Sequence, residues 1–236
     1  MQPKTFVLVH GAWHGGWCWR RVADLLGERG YKVYAPTLTG LADRSHLLGP
    51  AVGLATHILD VVNLIKWERL TDIILVGHSY AGFVVSGAVE EVGSAVCSLV
   101  FLDAFLPDDG QALVEVTAPA SRDAIMAAVQ RGDVGVPPRS AALFHVNEND
   151  RAWVDAMCTP QPTAAMVDKV KLSGARERVA RKTYVRAADY PNPAFDAAFA
   201  RVRSDPGWRC LAVPCGHDVM VDMPERLTEI LLEVAS

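Results

Sequence analysis

Six short apolar runs, separated by stretches of helical periodicity, constrain this chain most. FVLVHG (6–11), KVYAPTL (32–38), IILVGH (73–78), SLVFLDA (98–104), KTYVRAAD (182–189) and CLAVPCGH (210–217) have the character of strands buried on both faces. Between them, Leu54, Ile58, Val61 and Ile65 fall on one face of a helix over 54–66. Residues 80–92 are apolar nearly all round, as in a helix packed on a sheet. Asp222 and Glu225 make a capping-box pattern ahead of Leu227, Ile230, Leu231 and Val234. Strand–helix alternation of this kind predicts the α/β class, a mostly parallel sheet with helices on both faces.

One segment breaks the rhythm. From Pro107 to Ala180 no run has strand character, and helical patterns near 121–131, 149–158 and 163–173 are separated by prolines 119, 137, 138, 160 and 162. The expectation is one domain over 1–236 with a helical cap inserted at 107–180, covering the carboxyl edge of the sheet where open α/β folds bind ligands. A chain of 236 residues, 50% hydrophobic, suits that size.

Charge and composition exclude several classes. The formal net charge is −4 with both signs interspersed, so there is no basic stripe for nucleic acid. The apolar run before His10 is only four residues, too short for a signal peptide, and charges, Gly or Pro interrupt every candidate membrane span. Cys18, Cys97, Cys158, Cys210 and Cys215 are odd in number and lack metal-type spacing, which fits reduced thiols in a cytoplasmic protein. His10 and His14 are four apart, but in a strand-to-loop context that does not put them on one helical face, so no metal is expected there. No phosphate- or dinucleotide-binding glycine pattern occurs in a convincing position.

The stretch ILVGHSYAGFVV (74–85) places Ser79 between a strand and a helix, among small residues. Gly77-His78-Ser79-Tyr80-Ala81 follows the nucleophile-elbow pattern G-x-S-x-G, with Ala81 at the last position and Gly82 one place later. A serine needs a base. His217, preceded by Gly216 after the last strand, stands at the same sheet edge; His46, His57 and His145 are expected to be ordinary surface or half-buried residues, and His78 to point away from the elbow. A carboxylate must orient the base. Asp189 ends the strand 182–189 and is favoured, Asp103 is the alternative, and Asp196 and Asp205 are more distant competitors. The oxyanion donors expected are the backbone amides of Tyr80 and Ala12, the latter in the glycine-rich HGAWHGGW (10–17). Trp13, Phe144 and Trp153 are candidates for substrate contact, within a cap that also offers Met126, Met157 and Met166.

FVLVHGAWHGGWCW, GHSYAG, LVFLDAFLP and GHDVMVDMPERL resemble the α/β-hydrolase branch of plant methyl esterases, salicylate-binding esterases and hydroxynitrile lyases with their bacterial esterase relatives. The resemblance runs through nearly the whole chain except the cap. It implies a six-stranded parallel core, a helical cap, no cofactor, and a triad of Ser79, His217 and Asp189. The lyases that resemble this chain carry threonine and lysine where Ala12 and Asp218 stand, which argues against cyanide chemistry. The expectation is thus a serine carboxylic ester hydrolase forming an acyl-enzyme. Its partners would be a small to medium apolar or aromatic ester and water, with no nucleic acid or membrane and a homodimer left open. Lyase, amide or carbamate cleavage on the same residues, and ligand binding without turnover, remain the alternatives.

Overall fold

The computed structural model describes residues 4–236. In chain order the main sheet and its flanking helices begin with β1 (Thr5–Val9), α1 (Arg20–Glu28), β2 (Lys32–Tyr34), α2 (Leu54–Trp67), β3 (Ile73–His78), α3 (Ala81–Val92) and β4 (Val96–Leu102). The inserted segment then holds α4 (Leu113–Val116), α5 (Pro119–Arg131), β5 (Gly135–Val136), α6 (Glu148–Met157), β6 (Gln161–Pro162), α7 (Thr163–Val167) and α8 (Ala175–Arg178). The chain returns through β7 (Arg181–Ala187), α9 (Pro193–Arg203), β8 (Trp208–Val213), α10 (Val219–Asp222) and α11 (Pro224–Ala235).

The six long strands form one parallel sheet in the order β2-β1-β3-β4-β7-β8. Strand periodicity splits the apolar runs into two layers. Phe6, Leu8, Ile74, Val76, Val100, Leu102 and Val185 pack on one face with α1 and α11, while Val7, Val9, Leu75, Leu99, Phe101 and Tyr184 pack on the other with α2 and α3. Every residue of β3 is buried, because helices cover it on both sides; unbroken apolar runs are the consequence.

Three local expectations need correction. Between β4 and β7 the chain is not purely helical, since β5 and β6 form a short antiparallel ladder, Gly135 opposite Pro162 and Val136 opposite Gln161. The helix expected over 163–173 stops at Val167, because the Asp168 carboxylate accepts from Leu54 N at 2.9 Å and so serves the start of α2. The capping box expected at Asp222 does not form. Met223 precedes α11, and Asp222 Oδ1 instead accepts from Asn147 N (3.0 Å) and Nδ2 (2.9 Å).

Candidate active site

β3 ends at His78 and α3 starts at Ala81, so two residues must reverse the chain. Ser79 does this with φ +54°, a left-handed conformation rare outside glycine. Its amide donates to Leu102 O (3.2 Å), and its carbonyl accepts from Gly82 N (3.0 Å) and Phe105 N (3.2 Å). A Cβ at Gly82 would lie 1.9 Å from Phe105 O. The close approach that demands glycine is therefore at 82, whereas the Ala81 methyl is accommodated in the core.

His217 lies in the loop after β8, 3% exposed, its amide donating to Phe144 O at 2.9 Å. Its Nδ1 donates to Asp103 Oδ2 at 2.6 Å, which leaves Nε2 uncommitted, and His217 lines the same cavity as Ser79. Asp103 follows β4 directly, with φ +41° and no exposure. Its other oxygen, Oδ1, accepts from Ala187 N (3.0 Å) and from Arg186 Nη1 (2.7 Å). Arg186 also donates to Asp196 Oδ1 through Nε (3.0 Å) and Nη2 (2.9 Å), and to Tyr190 O through Nη2 (2.6 Å).

The carboxylate bonded to His217 is therefore Asp103 and not the favoured Asp189. That residue sits exposed in the turn beyond β7, its amide donating to Cys215 O and its carbonyl accepting from His145 Nδ1. The register explains the difference. Leu102 pairs with both His78 and Val185, so the next residue along, Asp103, lies between Ser79 and Arg186, while Asp189 is two residues past the end of its strand. Arg186 is the functional neighbour that sequence reasoning missed. The signal was available, since a cation in an otherwise buried strand requires a carboxylate on an adjacent strand end.

The first loop meets the elbow because β1 pairs with β3, Val9 opposite Gly77. A Cβ at Gly11 would lie 2.8 Å from Ser79 Cβ and 2.9 Å from His78 Nδ1. The loop peptides are pinned by buried side chains. His10 Nδ1 donates to Gly11 O (2.8 Å) and its Nε2 accepts from Leu38 N (3.0 Å). Burial lowers the His10 pKa to about 3, so it is a neutral imidazole. His14 Nδ1 donates to Ala12 O (2.8 Å), and Trp13 N donates to Gln161 Oε1 (3.0 Å), holding Trp13 at φ +66°. Among the described residues Ala12 N has no hydrogen-bond partner, nor does Tyr80 N, and both residues line the same cavity as Ser79. The Tyr80 hydroxyl is anchored on His57 Nδ1 (2.9 Å), whose Nε2 donates to Thr39 O (2.9 Å). His57 is thus wholly buried rather than at the surface, and its burial lowers its pKa. His78 lies beneath the elbow, its Nε2 donating to His217 O at 3.0 Å. His78, His217 and Asp218 bring ligand-type atoms within 4.8 Å of one another, but His78 Nε2 and His217 Nδ1 are already committed to those hydrogen bonds.

The cavity above Ser79 and His217 has a volume of about 360 Å³. The inserted segment contributes Ile125, Val136, Phe144 and Met166 to its walls, and the main domain Trp13 and Phe195. Arg139 is the one arginine or lysine among its lining residues. Trp13 and Phe144 stand where the sequence placed them, 5.9 Å apart between ring centres. Trp153 does not. It packs edge-on against Trp17 at 5.0 Å and under the Arg21 guanidinium, away from the cavity. Met126 and Met157 are 40% and 38% exposed, so of the three cap methionines only Met166 lines the cavity.

A parallel six-stranded sheet carrying a serine elbow, a histidine loop and a roofed cavity defines a class of hydrolase. A profile of the Alpha/beta hydrolase family matches residues 6–230. The chain is 42% identical over 237 residues to a carbendazim hydrolyzing esterase of Nocardioides sp. (strain SG-4G), covering 96% of this chain and 98% of that one. It is 26% identical to a putative chloroplastic methylesterase of Arabidopsis thaliana over 99% of this chain but only 57% of the plant protein's length. Among solved structures, an extracellular alpha/beta-hydrolase from a Paenibacillus species superposes with a TM-score of 0.85 at 23% identity, covering 98% of each chain. The chain belongs to the alpha/beta hydrolase family and is a carboxylesterase-type hydrolase. No helix of the described residues is long and apolar enough to cross a membrane.

Proposed function

We propose that this protein is a serine ester hydrolase with a triad of Ser79, His217 and Asp103. The observation that carries the reading is the buried 2.6 Å contact between His217 Nδ1 and Asp103 Oδ2, beside the strained elbow serine. Ser79 Oγ attacks the ester carbonyl while His217 Nε2 takes its proton. The amides of Ala12 and Tyr80 meet the tetrahedral oxyanion, each donor lowering the barrier by about 3 kcal/mol. His217 then protonates the departing alcohol and activates the water that frees the acid. Asp103 holds the imidazole tautomer, and Arg186 holds Asp103.

The cavity volume and its aromatic walls favour a small to medium, apolar or aromatic ester. A carbamate is the second substrate class, favoured by the identity to the relative named for carbendazim. No cofactor or metal enters these steps. Five unpaired cysteines accord with a reducing, cytoplasmic setting, and the segment 107–180 serves as the cap. The test is hydrolysis of p-nitrophenyl acetate, butyrate and octanoate, and of carbendazim, by wild type and Ser79→Ala. Turnover lost by about 10⁴-fold or more in a folded Ser79→Ala protein is expected; equal turnover by both overturns the reading.

A further inference from the structure

Behind His217, away from the cavity, lies a second buried acid–base pair that the reaction as described does not use. His14 is 2% exposed and Asp218 not at all. His14 Nδ1 faces Ala12 O at 2.8 Å, and His14 Nε2 faces Asp218 Oδ2 at 3.0 Å. The Ala12 carbonyl can only accept, so Nδ1 carries a proton; an ionised Asp218 can only accept, so Nε2 carries one as well. Burial alone would push the His14 pKa down, but the adjacent carboxylate outweighs it and raises it. Burial would likewise raise the Asp218 pKa, but His14 and its neighbours hold it below the usual carboxylate range. The pair is an imidazolium and a carboxylate. Trp17 stacks on the His14 ring at 5.2 Å.

The position of the pair is what gives it a role. Ala12 supplies one oxyanion amide, and Asp218 directly follows the base His217. We infer that His14 and Asp218 are positioning residues that tie the oxyanion loop to the loop of the catalytic base through one buried ion pair. This rests on the serine hydrolase reading above and deepens it. The pair also shields the base. With His14 charged, the Asp218 anion is balanced; without it, an uncompensated anion sits one residue from His217. The other titratable groups around the pair are His78, whose Nε2 is 3.8 Å from Asp218 Oδ1, His217, Cys18, Cys158, Cys215, Tyr190 and Asp222, which feel the Asp218 charge, and His10, which faces His14. Burial lowers the pKa of His78 and His10 and raises those of the three thiols and the Tyr190 phenol, so none of these groups supplies a compensating cation.

The experiment follows Ser79 phosphonylation by a fluorophosphonate between pH 5 and 9, in wild type, His14→Gln, Asp218→Asn and the double variant, with thermal melts as a check of folding. The probe reports the nucleophile, base and oxyanion hole whatever ester the enzyme prefers. His14→Gln is expected to label at least tenfold more slowly, with an acidic limb that departs from that of wild type, because Asp218 loses its compensating cation. The double variant should return the limb to the wild-type position while staying slow. In ¹⁵N-histidine spectra of wild type at pH 7, one imidazole that disappears in His14→Gln should carry protons on both nitrogens. A folded His14→Gln protein with wild-type rate and limb overturns the inference, as does a singly protonated His14 at pH 7. Should His14→Gln not fold, Asp218→Asn with wild-type rate and limb overturns it equally. A wild-type protein that the probe does not label overturns the serine reading and this inference together.

Discussion

The floor and the roof of the cavity are built on opposite terms. The floor is polar and buried. His10, Asp103 and Asp218 have no exposure, and His14 and His217 have 2% and 3%. Each is fixed by hydrogen bonds to loop backbone, to a strand end or to one another, with His14 and Asp218 lying behind the cavity wall. The roof is mostly apolar and partly open, with Thr117, Ser121 and Arg139 as polar members. Leu143 is 54% exposed, and Ile125 and Met166 face the cavity with no polar atom to orient anything. The proposed acyl transfer needs desolvated donors held still before the substrate arrives, which a sheet edge can supply. Choosing among substrates needs only shape, and a segment of short helices supplies that. Of the seven described non-glycine residues with positive φ, four (Trp13, Ser79, Asp103 and His145) are at the cavity or the triad, so backbone strain gathers at the site.

The contrast breaks most sharply at the acid. Asp103→Asn should lower kcat about 10³–10⁴-fold, because the amide would favour the wrong tautomer of His217. Asp189→Asn, at an exposed turn, should stay within about threefold on the same p-nitrophenyl esters; the reverse ranking would return the acid role to Asp189. Arg186→Met comes next. It removes one of the two donors to Asp103 Oδ1, leaving Ala187 N, and a small misplacement of the acid should cost up to about 10²-fold in kcat with KM nearly unchanged. Steady-state kinetics on p-nitrophenyl acetate separates the two constants.

Acid should find the floor before the roof. The His10 pKa is about 3 in the folded protein against 6.5 unfolded, so the unfolded chain binds the extra proton across that interval. Its contribution is complete above pH 6.5 and falls by about 1.4 kcal/mol per pH unit below it. His57 and His78 are shifted the same way by burial. His14 is shifted upward, so its contribution is complete below pH 6.5 and is lost only as pH rises through its folded value. Asp218, shifted downward, contributes above pH 3.8 and is lost only in stronger acid. Three histidines against one predict a urea midpoint clearly lower at pH 5 than at pH 7; an unchanged midpoint would mean these rings protonate without opening the fold.

The smallest effect belongs to the roof. Met166→Ala widens the cavity, and should change the octanoate-to-acetate ratio of kcat/KM by about tenfold while leaving kcat on acetate within about threefold. A large loss of kcat on every ester would show that the roof also holds the floor. Ties of that kind are visible: Gln161 Oε1 and Val136 O accept from Trp13, and Phe144 O accepts from His217 N.

Alternation of apolar runs with helical periodicity was enough to determine the sheet, the helices on both faces and the interruption after β4. Those depend on local pattern, and the elbow at Ser79 and the loop histidine at 217 announce themselves by residue type beside a strand end. The tertiary structure alone decided which carboxylate meets the base. Asp103 and Asp189 both follow strands, and nothing in their local sequence separates them. Register between β4 and β7 puts Asp103 against Arg186 and Ala187 N, and a register is a property of two strands together. The same holds for His14 and Asp218. They are 204 residues apart in the chain, and their charges gain a partner only when β1 and the loop after β8 reach the same edge.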